Sequence, residues 1–484
     1  MNHSTLTSDL KAIWQAGVDA VTPQNLIRAR LKIEANSLCL RAFKGNFAPL
    51  VDFTGSQRVL IVGAGKASAA MALALDRDIL QPLSNQLPGL AIDGWINCPE
   101  QVDLPKSTPS GIRLFQARPA GLNAPTPKAI EGTQEILSLV RNASEKDVVI
   151  CLVSGGGSAL LTAPAEGLTL DDKQMVAKRV AAAGANIEQL NCIRRAISQV
   201  KGGGLARQCR AGRLASLIIS DVLGDSLETI ASGPTYLPSS ASPEDALSVL
   251  PELGLMDDQE LQPVVRYLAD SSARAAESEV EVMVESGSQQ PLITHSILGN
   301  NAEAVEQARL EAITRGYECI TTSANECEGE VADLADETLT SIKDNINART
   351  PFCLITGGEP TVTLPPSPGK GGRNQQLTGE LLSRICSELE TQPILMNAQH
   401  GTTIGFLSGG TDGEDGPTDA AGAYFCNTLE ELRRFDGARL EDLRRALAHA
   451  DTYDFFDRAG ALIKSGPTGT NVCDLRVALI VPPA

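Results

Sequence analysis

The chain is predicted to be an α/β protein of two unlike domains, the first a Rossmann-like, doubly wound and mostly parallel sheet. Three observations carry this expectation. Apolar runs of strand length alternate with segments of helical period, glycine-rich turns follow several of those runs, and 484 residues exceed one ordinary domain. A hydrophobic content of 42% with only 4% aromatics fits Ala/Leu/Val-packed layers with glycine at the turns.

Leu10, Ile13, Trp14, Val18 and Val21 recur at helical spacing, and Thr22-Pro23 reads as an N-cap with proline at the first helical position. Two helices are thus expected before the first strand, 58–62. A helix from Lys66, a strand 90–95, a helix from Thr126-Pro127 and a strand 147–153 follow. Thr169 with Asp172 three residues on signals the next helix, then come a basic helical segment 186–198 and a strand 214–219. Between about residues 238 and 291 the chain turns acidic and proline-rich, which reads as short helices and a connector. A second alternating set begins with strand 295–298 and a helix from Asn301, and continues through strands 318–321, 352–356 and 404–407. The expected domains are 1–280 and 281–484, with the final strand, 475–481, free to return and pack on the first. Alternation of this kind argues for helices on both faces of a mostly parallel sheet.

Composition removes several function classes. A net charge of −18 repels nucleic acid and anionic membranes. Eleven scattered cysteines without CxxC, and four histidines, argue against structural zinc and for reduced thiols. No apolar run reaches the length of a membrane span. The first twenty residues hold one basic side chain, Lys11, so the expected location is the cytoplasm. On so acidic a protein, an anionic ligand needs a locally basic pocket.

Five glycine-rich turns supply the candidates. Gly63-Ala64-Gly65-Lys66-Ala67-Ser68 places a lysine at a strand-to-helix turn, where glycines admit a phosphate and the helix start offers N–H groups. It matches neither standard motif, because Ser68 stands at the third glycine of the dinucleotide fingerprint and Ala67 follows the lysine where a Walker A loop needs Ser or Thr. Ser154-Gly155-Gly156-Gly157-Ser158 can wrap an anion with consecutive N–H groups, or serve as a tight packing turn. The other three turns are Ser220-Asp221 through Gly224-Asp225, Thr356-Gly357-Gly358-Glu359-Pro360 and Ser408-Gly409-Gly410-Thr411-Asp412. In a doubly wound sheet such turns lie at the carboxyl ends of strands, where ligands bind. Asp221, Asp225 and Asp412 are candidates for holding Mg²⁺, and Asp221 and Asp412 for orienting or deprotonating a hydroxyl. Arg373 opens a helix with Asn374 beside it, and positive charge is disfavoured at that end of the dipole unless an anion sits there. Asn191, Arg194, Arg195 and Lys201 form a basic patch that lines a ligand cleft or faces solvent.

Taken in order, these motifs, with Lys201-Gly-Gly-Gly-Leu-Ala, Ala231-Ser-Gly-Pro-Thr235 and Thr468-Gly-Thr-Asn471, resemble the class II glycerate 2-kinase family, whose C-terminal unit is the MOFRL domain. The resemblance covers about residues 8–480. It implies ATP- and Mg²⁺-dependent phosphorylation of D-glycerate to 2-phosphoglycerate, in a site between two α/β domains. It also matches the family's proposed catalytic lysine and arginine to Lys66 and Arg373. Cys473 departs from the pattern, at a position where a small polar residue is expected, and leaves Asp474 in place. The implied partners are small molecules, and a homodimer stays open. From other classes, a nicotinamide-dependent hydroxy-acid dehydrogenase is the alternative that the Gly63-x-Gly65 turn suggests, and a non-catalytic binding protein for nucleotides or sugar acids is the other. The dehydrogenase lacks an acidic residue about 20 positions on, at the end of a clear second strand.

Overall fold

The structure of the chain, a computed structural model, describes residues 3–42, 45–101, 104–119, 122, 124–237, 242–281, 290–391, 395 and 398–483. Its strands are β1 Leu31–Glu34, β2 Ser37–Arg41, β3 Phe47–Asp52, β4 Arg58–Ala64, β5 Ala91–Pro99, β6 Arg113–Arg118, β7 Asp147–Ser154, β8 Arg213–Ile219, β9 Leu292–Gly299, β10 Glu318–Ser323, β11 Phe352–Gly358, β12 Thr403–Gly410, β13 Gly422–Thr428, β14 Leu462–Ile463 and β15 Asp474–Val481. Two compact units result. One comprises residues 27–218 and 226–298, the other 1–26, 219–225 and 299–484. This differs from the division expected at residue 280, because the first helix and the loop after β8 belong with the C-terminal half.

The first unit, here the parallel-sheet unit, has the strand order β6-β5-β4-β7-β8-β9. β4 pairs in parallel with both β5 and β7, and β5 in parallel with β6. The chain builds outward from β4 to β6, then returns to place β7 on β4's other side. The order therefore reverses between β4 and β7, the point at which doubly wound sheets bind ligands beyond the strands' carboxyl ends. All eight residues of β7 are buried, as a strand covered on both faces requires. Helix starts follow the local capping chemistry. The Thr126 hydroxyl accepts from Ala129 N–H, and Thr169 with Asp172 and Asn186 with Gln189 form reciprocal capping boxes.

Two features were not expected. β1, β2 and β3 form a separate antiparallel sheet. The acidic, proline-rich stretch is no connector: helices Pro243–Glu252 and Gln262–Glu281 share a core with helices Leu170–Ala182 and Ile187–Ala196 through Leu250, Leu268, Val176 and Ile193. Residues 238–241 and 282–289 of that stretch lie outside the described residues.

The second unit, the mixed-sheet unit, has the order β10-β11-β15-β12-β13-β14. β10 and β11 are parallel, whereas β15 is antiparallel to both β11 and β12, so the final strand is central here. Its side chains alternate between two helical layers. Ala478 and Ile480 join Leu377 and Leu381 of helix Arg373–Thr391, while Leu475, Val477 and Leu479 join Trp14 and Ala308 on the other face. That second contact ties helix His3–Ala20 to this unit.

Candidate functional site

In the parallel-sheet unit the two turns at the switch point are stitched together. Lys66 N–H donates to Gly155 O at 2.8 Å, and Ala67 N–H donates to the Ser154 hydroxyl at 3.0 Å. Ser68 donates its hydroxyl to Leu152 O at 3.2 Å. Gly65 is required by this closeness, since a Cβ there would collide with the hydroxyl and carbonyl oxygens of Ser154. Gly156 adopts φ +73°, and a Cβ on it would lie 3.2 Å from Arg118 Nη2 and 3.4 Å from Lys66 Cγ. Two cationic side chains thus flank the glycine turn. Lys66 is half-buried and Arg118 buried.

Further cations gather behind this turn. Lys201 is 3% exposed, and its ammonium donates to the Ser232 hydroxyl at 2.9 Å and to Ser158 O at 3.3 Å. The Ser158 and Ser232 hydroxyls are 2.7 Å apart. Ser232 is delivered by three successive left-handed residues, Ala231, Ser232 and Gly233. Two of these are not glycine, a strain of about 1–3 kcal/mol each that usually marks function. Burial, then the neighbouring charges of Lys173 and Arg194, hold Lys201 well below the usual lysine range. Burial and Arg194 push Lys173 down to about 8.

In the mixed-sheet unit Arg373 opens helix Arg373–Thr391. It grips Asp474 bidentately, with Nε at 2.7 Å and Nη2 at 3.0 Å, while Nη1 faces Glu359 at 2.8 Å. Burial alone would lower the guanidinium's pKa, but Asp474, Glu359 and Asp415 together outweigh it and hold Arg373 fully charged. The helix terminus itself is capped from afar. Asp415 accepts from Asn374 N–H at 3.0 Å and from Gln375 N–H at 2.9 Å. Burial raises its pKa to about 6 against the lowering effect of these bonds. The anion that the helix-dipole argument demanded is therefore the chain's own carboxylates. Asn301 fixes the segment carrying Asp474 by donating to Val472 O and Asp474 O, each at 2.9 Å.

Asp221 belongs to the same neighbourhood. The Cys473 thiol donates to Asp221 O at 3.1 Å and lies 3.7 Å from Glu359 Oε2. Burial, then Glu359, Asp474 and Asp221, push that thiol far above its ordinary pKa. Asp412 Oδ1 accepts from Glu414 N–H at 3.1 Å and lies on the same side of Gly410 as Asp474 Oδ1. Asp225 is turned to another task, accepting from Asn300 Nδ2 at 2.5 Å beside the helix that Asn300 caps.

Comparison with known proteins follows this geometry. The model of a family described as a domain of unknown function (DUF4147) matches residues 9–269, and that of the MOFRL family matches residues 352–474. A glycerate kinase of Bos taurus is 33% identical over 99% of this chain and 94% of its own length. The chain belongs to the class II glycerate 2-kinase family. A D-glycerate 2-kinase of Thermotoga maritima is 33% identical over 88% of this chain and 91% of its own. The crystal structure of a Thermotoga maritima glycerate kinase superposes with a TM-score of 0.72 at 28% identity, covering 99% of this chain and 100% of that one.

Within this glycerate 2-kinase fold the expected site residues divide into two groups. Lys66, Gly155, Gly156, Gly157, Ser158 and Lys201 come together on the parallel-sheet unit, and Arg373, Glu359, Asp221 and Asp412 on the mixed-sheet unit. The others are taken up by the architecture. Ser154 is 1% exposed and clips the two turns, and Gly63 makes room for Leu152 O. Asn374 is 2% exposed, its amide held by Ser408 at 2.6 Å and Asp415 at 3.3 Å. A Cβ at Gly357 would strike Asn301, and one at Gly358 would strike the Glu328–Arg476 ion pair. Among the described residues no group of three or more His, Cys, Asp or Glu is disposed to hold a metal ion. Sequence reasoning missed Arg118 and Lys173. A signal for Lys173 existed, since it shares a helical stripe with the apolar Val176 and Val180, three and seven residues on.

Proposed function

We propose that the chain transfers the γ-phosphoryl group of ATP to the 2-hydroxyl of D-glycerate, giving 2-phosphoglycerate. The observation that carries the reading is the near-full-length likeness to glycerate kinases, combined with Lys66 at a strand-end turn and Arg373 at a helix start. Phosphoryl transfer asks little covalent chemistry of a protein and depends on positioning and charge neutralisation. In this reading Lys66 and the turn 155–158 receive phosphate oxygens. Arg373, already oriented by Asp474 and Glu359, meets negative charge without reorganising, and Asp221 or Asp412 orients the acceptor hydroxyl. Mg²⁺ enters with the nucleotide as MgATP, whose phosphates supply part of its coordination.

The same reading places the enzyme in the cytoplasm acting on small molecules. All eleven cysteines are free, and among the described residues no helix is long and apolar enough to cross a membrane. The testing experiment is an ADP-coupled assay across a panel of small hydroxy acids. The reading expects glycerate to be preferred, and ATP-independent, NAD-dependent oxidation would refute it.

A further inference from the structure

We propose that Lys173, Arg194 and Lys201 form an oxyanion pocket in the parallel-sheet unit, one that takes a carboxylate or phosphate group of a substrate. The inference rests on the kinase reading only for which anion it is.

Lys173 is 8% and Lys201 3% exposed, on a helix and a turn packed into the protein. A buried ammonium is costly unless an opposite charge meets it, so such groups either pair, surrender the proton or await a ligand. Here the groups that act on Lys201 besides its burial are Lys173 and Arg194, and no carboxylate is among them. The nearby Glu228 is taken by Arg195, at 2.5 Å.

The two ammoniums are anchored on consecutive turns of one segment. Lys201 donates to Ser158 O, and Lys173 Nζ lies 3.5 Å from the Thr162 hydroxyl, four residues further on. Neither lysine exhausts its donors on these oxygens. Arg194 comes from helix Ile187–Ala196, packed beside the Lys173 helix in one apolar core. Ser232, on its strained left-handed backbone, adds a hydroxyl at the same place. Two buried ammoniums that meet the uncharged oxygens of Ser158, Thr162 and Ser232, beside the helix that carries Arg194, can receive a small oxyanion, which a substrate carboxylate and a nucleotide phosphate supply equally well. Clusters of perturbed groups of this kind concentrate at functional sites.

The test measures melting temperature and steady-state constants for the full chain and for Lys173→Met, with D-glycerate, ATP and inorganic phosphate added separately. Without ligand, Lys173→Met should melt no lower than the wild type, because an unmatched charge is relieved. It should lose the stabilisation given by glycerate or by ATP, and raise the KM of that same substrate about tenfold. Loss of the glycerate response identifies the anion as a carboxylate, and loss of the ATP response as a phosphate. A variant that melts lower and keeps both responses overturns the pocket. Should Lys173→Met fail to fold, Arg194→Gln gives the same decision, and a folded Arg194→Gln protein that keeps both responses overturns the pocket. Wild-type ATP turnover is scored apart. An active enzyme with unshifted constants refutes the pocket alone, and an inactive chain that still needs Lys173 to bind anions refutes the kinase reading alone.

Discussion

Arg373 and Asp474 form a bidentate pair at 2.7 and 3.0 Å, in which the carboxylate is fully buried and the arginine side chain 35% exposed. The asymmetry decides what each substitution does. Removing Arg373 leaves Asp474 buried beside Asp415 with no bidentate partner, whereas removing Asp474 leaves an arginine that still has Glu359 and water. Arg373→Ala should therefore destabilise the protein by about 3 kcal/mol, and Arg373→Ala with Asp474→Ala together by less than the sum. Denaturant melts of the two single variants and the double variant check this, and strict additivity would contradict it.

Arg373→Lys keeps the charge but loses the fork. A preoriented arginine acts mainly as charge develops, so kcat should fall about a hundredfold with a smaller rise in the glycerate KM. Unchanged kcat and KM in the folded variant would remove Arg373 from the site.

Lys66 donates its backbone N–H to Gly155 O, a bond that alanine retains. Lys66→Ala should thus leave the melting temperature near that of the wild type and lower turnover about a hundredfold or more, because the charge neutralised in the loosening phosphoryl group is lost. A folded variant with near-normal turnover would make Lys66 a solvated lysine.

Asp415 carries a pH signature. Its folded pKa is raised from 3.8 to about 6, chiefly by burial, so its contribution to stability is present below 3.8 and is lost as pH rises through 6. An Asp415→Asn protein lacks this loss. Relative to the wild type, it should gain on the order of 3 kcal/mol between about pH 4 and about pH 7. A constant difference across that window, measured by denaturant melts at each pH, would contradict the assignment.

Thiol chemistry separates two cysteines. Cys327 is exposed, whereas Cys473 is 4% exposed and its thiol is kept protonated by burial, Glu359, Asp474 and Asp221. Iodoacetamide should modify Cys327 in the native protein and reach Cys473 only on unfolding. Mass spectrometry showing early loss of native Cys473 would be inconsistent with this geometry.

What was legible in the sequence is what local chemistry controls. Thr169 with Asp172 and Thr126 with Pro127 announced helix starts, because a cap is made within a few residues. The glycine turns at Lys66 and Ser154 were legible for the same reason. Strand partnership was not. β15 was visible as an apolar run, but nothing in it states that it inserts between β11 and β12. β1, with four residues, is too short for a pattern. At the site, the helix-dipole argument rightly required an anion beside Arg373. It could not see that Asp474, 101 residues away, supplies one, nor that Asp415 caps the same terminus. Nor could it see Ser408 and Asp415, 34 and 41 residues away, as the partners of the Asn374 amide.

The account stands on one reaction, and phosphorus NMR of the product tests it most directly. Incubated with MgATP and D-glycerate, the protein should produce ADP and a single phosphomonoester on carbon 2, with no product when glycerate is omitted. A product phosphorylated on carbon 3, or glycerate oxidised with NAD while ATP is untouched, would contradict it.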